Sequence, residues 1–207
     1  MIGSQDVCSG FFVTQRFVTQ ASQSSWDRRA KLDVFLATPS AQSACGMEDF
    51  MKVVDMHCDT IAALYENKEK GWTLQDNRLH IRLDKMKQGD YLLQNFALFV
   101  CTENCEDPYQ QALTLADCFD RQMALFPEHI GQVRCYNDIL ENQKNGRISA
   151  LLTIEEGAVC QGSLEKLREF YDRGVRMLTL TWNFPNEIGF PNFGISGDGK
   201  PDRTVPN

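Results

Sequence analysis

The feature that most limits the fold of this chain is a repeated order of apolar runs and amphipathic helical patterns between residues 51 and 183. Four runs rich in apolar and β-branched residues lack a clear polar alternation, which is typical of strands covered on both faces. The first and third runs end in acidic side chains, and the fourth ends in Thr-Trp-Asn. The predicted strands are Val53–Asp59, Asn95–Cys101, Ser149–Gly157 and Arg176–Asn183.

Helical patterns lie between these strands. Pro108–Phe126 carries apolar residues at three- and four-residue spacing, and a shorter helix is predicted from Thr60 through Tyr65. Ser163–Arg173 begins with a residue suited to an N-cap, and Gly174 follows it as a helix-ending glycine. Strand followed by helix, repeated four times, predicts an α/β fold with parallel strands. Functional side chains are then expected at the C-terminal ends of the strands.

A possible pair of metal ligands follows the first strand. Successive strand residues point to opposite faces, so His57 and Asp59 should share one side while Cys58 turns away. An imidazole nitrogen and a carboxylate oxygen both suit zinc. The third strand ends at Glu155, and Thr181, Trp182 and Asn183 close the fourth.

Three blocks of sequence resemble the membrane (renal) dipeptidase family of zinc peptidases, and the bacterial-type members are the most similar. The resemblance runs from about Met51 to Asn207, and its blocks are Met51–Thr60, Leu152–Gly157 and Gly174–Asn183. It implies a (β/α)8 barrel of the TIM type, in which two zinc ions activate a shared water that hydrolyses a dipeptide. It also implies that His57 and Asp59 bind one metal and that Glu155 bridges both.

Two residues depart from the family pattern. Glu156 stands where many relatives carry glycine, and strand alternation turns it away from the side that Glu155 faces. Trp182 stands where some members place a substrate-binding histidine. Trp182 and Asn183 are therefore candidate substrate-binding residues, although Trp182 equally suits simple packing at a strand end.

The length of the chain limits what the resemblance implies. A complete barrel needs eight strand–helix units, and residues 51–207 supply about four, so we expect a partial barrel domain truncated at its C-terminus. His80 and His129 lie outside the predicted strands and fit exposed or capping positions better than metal binding. Three ligands would hold at most one zinc, without a complete catalytic set, and we expect little or no peptidase activity. Unpaired strand edges would favour aggregation unless a homo-oligomer or a missing C-terminal half covers them.

Residues 1–50 are rich in Ser, Gln, Thr and Ala, do not resemble the family, and are predicted to be a poorly ordered extension. The net charge of −7 argues against nucleic acid and anionic membranes as partners. No apolar stretch is long enough for a transmembrane helix, and no secretory signal is evident. Eight scattered cysteines fit reduced thiols in a cytoplasmic protein, and the Cys101–Cys105 spacing does not fit a structural zinc site.

The favoured interpretation is a zinc-dependent dipeptidase, present as an incomplete fragment. A second interpretation is a non-catalytic barrel fragment that binds at most one metal. A third is another metal hydrolase on the same kind of barrel, such as a phosphoesterase. Phosphoester chemistry favours basic groups around the substrate, and the strand ends offer only Arg176 and Lys200.

Overall fold

The structure of the chain is a computed structural model that describes residues 51–191, together with the backbone of residues 12–14, 194–195 and 201–202. The poorly ordered extension predicted for residues 1–50 therefore lies outside the described residues, except for a short strand at Phe12–Thr14. The division of the chain into an extension and a domain at residues 51–207 stays a prediction.

Parallel strands and intervening helices alternate along the described chain. The strands are β1 (Phe12–Thr14), β2 (Val53–Asp55), β3 (Tyr91–Phe99), β4 (Ile130–Gln132), β5 (Ile148–Glu155), β6 (Val175–Thr179), β7 (Gly194–Ile195) and β8 (Pro201–Asp202). The helices are α1 (Thr60–Glu66), α2 (Leu83–Gln88), α3 (Pro108–Leu125), α4 (Tyr136–Lys144) and α5 (Leu164–Arg173).

The main sheet has the order β1-β6-β5-β3-β2, with β4 pairing the start of β5, and all these pairs are parallel. The predicted α/β class with a parallel sheet is confirmed. The register of β3, β5 and β6 places Phe99, Glu155 and Thr179 side by side in one row at the C-terminal edge of the sheet. The antiparallel pair β7–β8 lies in a separate small sheet.

The three predicted helices, α1, α3 and α5, begin and end within one residue of their predicted bounds. The Asp107 side chain accepts a hydrogen bond from the Gln110 N–H at 3.1 Å, and Pro108 occupies the first turn of α3. The Ser163 hydroxyl caps α5 by accepting from the Lys166 N–H at 3.3 Å, and Gly174, in the left-handed region, ends it. The predicted cap and the predicted terminal glycine are both confirmed.

The core lies between the sheet and these helices. Its largest fully buried side chains include Phe96 of β3 and Phe119 of α3, whose rings are 5.9 Å apart. Apolar burial on this scale is the main source of stability in a domain of this size. Within the described chain β2 pairs with β3 alone, and its Val54 is half-exposed, as is Met56 just beyond it. This edge of the sheet has the apolar exposure that the sequence predicts, whereas β6, the fourth predicted strand, is not an edge because it pairs with β1.

Among the strands and α-helices of residues 51–191, β4, α2 and α4 escaped the sequence prediction. The bounds of the predicted strands also shift: β2 ends at Asp55, so His57 and Asp59 lie just beyond it. β3 begins at Tyr91 and ends at Phe99, β5 ends at Glu155, and β6 ends at Thr179. No helix follows β6 within the described residues, so the fourth predicted unit contributes only its strand. In the same part of the chain, no helix is both long and apolar enough to cross a membrane.

Candidate metal centre

The three predicted ligands converge at the C-terminal edge of the sheet. The His57 Nε2 atom lies 3.3 Å from the Asp59 Oδ2 atom and 3.2 Å from the Glu155 Oε2 atom. One potential ligand atom from each residue lies within 4.8 Å of the other two. Two ligands about 2.0 Å from one tetrahedral zinc ion lie roughly 3.3 Å apart. The spacing and the donor set of one nitrogen and two carboxylate oxygens therefore fit a zinc ion.

The end of β2 positions His57 and Asp59. Beyond Asp55 the chain continues alongside β3, because the Cys58 N–H donates to Asn95 O and the Ala97 N–H donates to Cys58 O, both at 3.0 Å. The Cys58 side chain is buried, so the residues on either side of it face elsewhere. The His57 N–H also donates to the Asp55 carboxylate at 3.1 Å. Backbone pairing thus fixes the segment that carries two of the three ligands.

Glu155 supplies the buried member of the group. It is the last residue of β5 and only 5% exposed, whereas His57 is half-buried and Asp59 is exposed. A buried carboxylate is costly unless a cation or hydrogen-bond donor compensates it. The neighbouring imidazole is one such partner, and a bound cation would be a stronger one.

The thiol between the two loop ligands is not arranged as a ligand. Burial raises the pKa of Cys58 to about 11, although a hydrogen bond with Thr60 opposes this shift. Metal binding requires the thiolate form, which such a pKa disfavours at neutral pH. The six cysteines within the described residues are free, as predicted for reduced thiols.

Glu156 faces away from this group and binds the loop after β6 instead. Its carboxylate accepts hydrogen bonds from the Ala158 N–H at 3.0 Å, the Trp182 N–H at 3.1 Å and the Asn186 side-chain amide at 2.6 Å. Its φ of 107° lies in the region that favours glycine. Sequence reasoning noticed the glycine-like position but missed this role, as it missed Asn186.

Trp182 and Asn183 are half-buried residues just beyond β6. The Trp182 ring packs edge-on against Phe99, with 5.0 Å between ring centroids, and also contacts Phe184 at 6.1 Å. The structure therefore gives Trp182 a packing role. A substrate contact for Trp182 or Asn183 stays a prediction.

The other two histidines lie outside the group. His80 and His129 are both exposed, and His129 directly precedes β4, at the opposite edge of the sheet. In the part of the chain that the structure describes, His57, Asp59 and Glu155 form the one group of three or more side chains arranged for a metal. Arg176, the basic residue considered for phosphate, lies near the start of β6 and donates to backbone carbonyls. Lys200 lies outside the described residues.

Comparison with known protein families gives a match over residues 42–190 to "Membrane dipeptidase (Peptidase family M19)". The chain belongs to this family. The resemblance inferred from the sequence blocks is thereby confirmed, although the match runs from residue 42 to residue 190 rather than from Met51 to Asn207. The family is one of dipeptidase-type metallohydrolases.

Two curated relatives belong to organisms far apart in evolution. An uncharacterized dipeptidase of Schizosaccharomyces pombe is 32% identical over 135 residues, which cover 60% of this chain and 32% of the relative. Dipeptidase 3 of Rattus norvegicus is 31% identical over 151 residues, which cover 68% of this chain and 29% of the relative. The chain spans about a third of the length of these relatives.

Solved structures of peptidases share the fold. A dipeptidase of family M19 has a TM-score of 0.58 at 22% identity, covering 65% of this chain and 44% of that one. A metallo peptidase from Rhodobacter sphaeroides, liganded with a phosphinate mimic of L-Ala-D-Ala, also has a TM-score of 0.58, at 21% identity, covering 70% and 51%. These similarities confirm that the sheet and helices form part of a TIM-type barrel.

Proposed function

We propose that this chain is a zinc-dependent, dipeptidase-type hydrolase whose metal ligands are His57, Asp59 and Glu155. The convergence of these three ligand atoms within 4.8 Å, at the C-terminal edge of a parallel sheet, is the observation that carries the proposal. Functional groups of barrel enzymes gather at this edge. Membership of the membrane dipeptidase family supports the same reaction class.

Each ligand has a distinct part in holding the ion. The His57 imidazole supplies a neutral nitrogen, Asp59 an exposed carboxylate, and Glu155 a buried carboxylate fixed by its strand. Zinc supplies Lewis-acid polarisation of a carbonyl group and activation of water at neutral pH. Three protein ligands suffice for one ion with one coordination position left open. We therefore propose that these residues hold at most one zinc.

The proposed substrates are dipeptides. The curated relatives are named dipeptidases, and the Rhodobacter structure contains a mimic of L-Ala-D-Ala. Trp182 and Asn183 follow the strand next to Glu155, which supports our assignment of both as substrate-binding residues. We include L-Ala-L-Ala and L-Ala-D-Ala among the dipeptides to be tested.

A second candidate function is metal binding without hydrolysis. It is supported by the small ligand set, since the described residues bring together three ligands and leave His80 and His129 elsewhere. Both functions require the same ion at the same place. They differ only in turnover.

The first experiment measures zinc affinity. The full chain, stripped of metal with a chelator, is titrated with Zn²⁺ in competition with a chromophoric chelator. Glu155→Gln and His57→Ala should each weaken binding by about 100-fold, because each removes a ligand. His80→Ala changes an exposed histidine outside the group and should leave the affinity unchanged. Equal zinc affinity in the parent and both ligand variants would refute the assignment.

The second experiment measures hydrolysis. Zinc-loaded protein is incubated with the dipeptide panel, and released amino acids are quantified by chromatography. Turnover that disappears in Glu155→Gln supports the dipeptidase. Zinc binding with no turnover of any dipeptide supports the second candidate.

A further inference from the structure

We propose that Glu156 is a positioning residue that holds the segment Trp182–Asn186, here called the Trp182 loop, against the end of β5. This inference rests on the proposed function, because it assigns the Trp182 loop to the substrate side of the metal centre. Glu156 itself binds neither metal nor substrate. Its action runs through Trp182.

The backbone at Glu156 is the first observation. Its φ of 107° and ψ of 98° place a residue with a large side chain where glycine is favoured. Such conformations are unfavourable and persist only where surrounding contacts enforce them. The carboxylate is the group that makes those contacts.

The hydrogen bonds are the second observation. Glu156 is 2% exposed, and its three donors come from two separate segments: the turn after β5 and the Trp182 loop. Asn186 extends the connection, because its amide also donates to Leu180 O at 2.8 Å and its Oδ1 accepts from the Ile188 N–H at 2.8 Å. One buried carboxylate therefore joins two loops.

Close packing at Gly157 confirms that the two loops touch. A Cβ atom added at Gly157 would lie 2.6 Å from Leu180 O and 2.6 Å from the Ile188 Cδ1 atom. No side chain fits between these segments. Leu180 and Ile188 lie on either side of the Trp182 loop, so the turn that follows Glu155 contacts the chain at both ends of that loop.

The Trp182 ring connects the Trp182 loop to the candidate metal centre by packing. It packs on Phe99, and Phe99 is the register partner of Glu155. Glu155 belongs to β5 and its orientation is fixed by the sheet, whereas Trp182 lies beyond the end of β6. Losing the Glu156 carboxylate should therefore disturb the substrate side of the centre and leave the metal ligands in place.

The test uses two variants of the full chain. Glu156→Gly tolerates the backbone conformation and removes the side chain. Glu156→Gln keeps the volume, but an amide has one acceptor oxygen, so its NH₂ group must face at least one of the N–H donors. Glu187→Gln, an exposed change at the residue directly after the Trp182 loop, is the matched control.

Three measurements are compared: hydrogen exchange at the Trp182 amide, zinc affinity, and affinity of the zinc-loaded protein for a phosphinate dipeptide mimic. Both Glu156 variants should raise Trp182 exchange about tenfold, the scale expected for one lost hydrogen bond to a charged group. Affinity for the mimic should fall about tenfold in Glu156→Gly. Zinc affinity should change less than about threefold, because the ligands stay in place.

Two results would overturn the proposal. One is Trp182 exchange at the parental rate in both Glu156 variants. The other is a loss of zinc affinity as large as in Glu155→Gln, which would make Glu156 part of the metal site. If the parent itself binds no zinc, the proposed function fails, and the exchange rates still decide whether Glu156 holds the loop.

Discussion

The two ends of the sheet use their charged side chains differently. At the start of β6, Arg176 donates hydrogen bonds to backbone carbonyls. At the C-terminal end, Glu156 accepts from backbone N–H groups, and two other carboxylates lie beside the His57 imidazole. Arg176 donates to Arg134 O at 2.9 Å, to Tyr171 O at 2.6 Å and to Val175 O at 2.9 Å. Its guanidinium also lies 3.8 Å from the centre of the Tyr171 ring. The guanidinium of this buried arginine therefore links the start of β6 to α5 and to the segment that follows β4.

The two adjacent glutamates at the C-terminal edge have different partners. Glu156 joins segments, as Arg176 does, but Glu155 lies beside His57 in a group that fits a cation. In barrel folds the first edge typically supports stability and the second edge chemistry. Arg176, Glu155 and Glu156 are all buried, so burial alone does not distinguish a structural role from a functional one. The identity of the partner groups does.

The largest expected effect is a loss of stability when Arg176, at the N-terminal end of β6, is replaced. Arg176→Ala should lower the free energy of unfolding by about 3 kcal/mol, because it removes three hydrogen bonds from one buried guanidinium to backbone carbonyls and also the contact with the Tyr171 ring. Urea unfolding followed by circular dichroism measures the change. Arg168→Ala, an exposed change on α5, should cost less than about 0.5 kcal/mol. Equal stability of the two variants would contradict the structural role of Arg176.

The next largest expected effect is stabilisation by zinc bound at the C-terminal edge of the sheet. Zinc at about 100 times its dissociation constant should stabilise the parent by about 2.7 kcal/mol, since it binds the folded state. Glu155→Gln should show almost none of this gain at the same zinc concentration. Unfolding curves with and without zinc, for both proteins, test this. An equal gain in both would place the bound zinc somewhere else.

The smallest expected effect depends on pH. Burial raises the pKa of Cys160, in the turn after β5, from 9.0 to about 11. Folding therefore favours the neutral thiol, and this contribution is present below pH 9 and is lost as pH rises toward 11. From pH 8 to pH 10 the parent should lose about 1 kcal/mol more than Cys160→Ala. Urea unfolding at both pH values measures the difference, and parallel losses would contradict the assigned pKa.

Long apolar strands could be predicted from the sequence, and so could the convergence of His57, Asp59 and Glu155. The strand β4 was missed because three residues including Gly131 carry too little apolar signal. Helix α4 was missed because its one buried residue is polar: Asn142 donates to Gly131 O at 3.0 Å and to the Ser149 hydroxyl at 3.3 Å. A helix fixed by hydrogen bonds shows little apolar periodicity.

The role of Glu156 was beyond prediction for a different reason. Its partners, Trp182 and Asn186, are 26 and 30 residues away in the chain, and no periodic pattern links them. The available signal was a glutamate at a position suited to glycine. That signal marks unusual backbone geometry, but it does not identify the partner that stabilises it.

The sheet order has a consequence for which side chains can work at the centre. Because β3 lies between β2 and β5, the strands that lead to His57 and Glu155 are two strand spacings apart, about 10 Å. The side chains of His57 and Glu155 have to close that span. An aspartate in place of Glu155 would keep the charge and lose one methylene of reach, so the architecture selects its ligands by length as well as by chemistry.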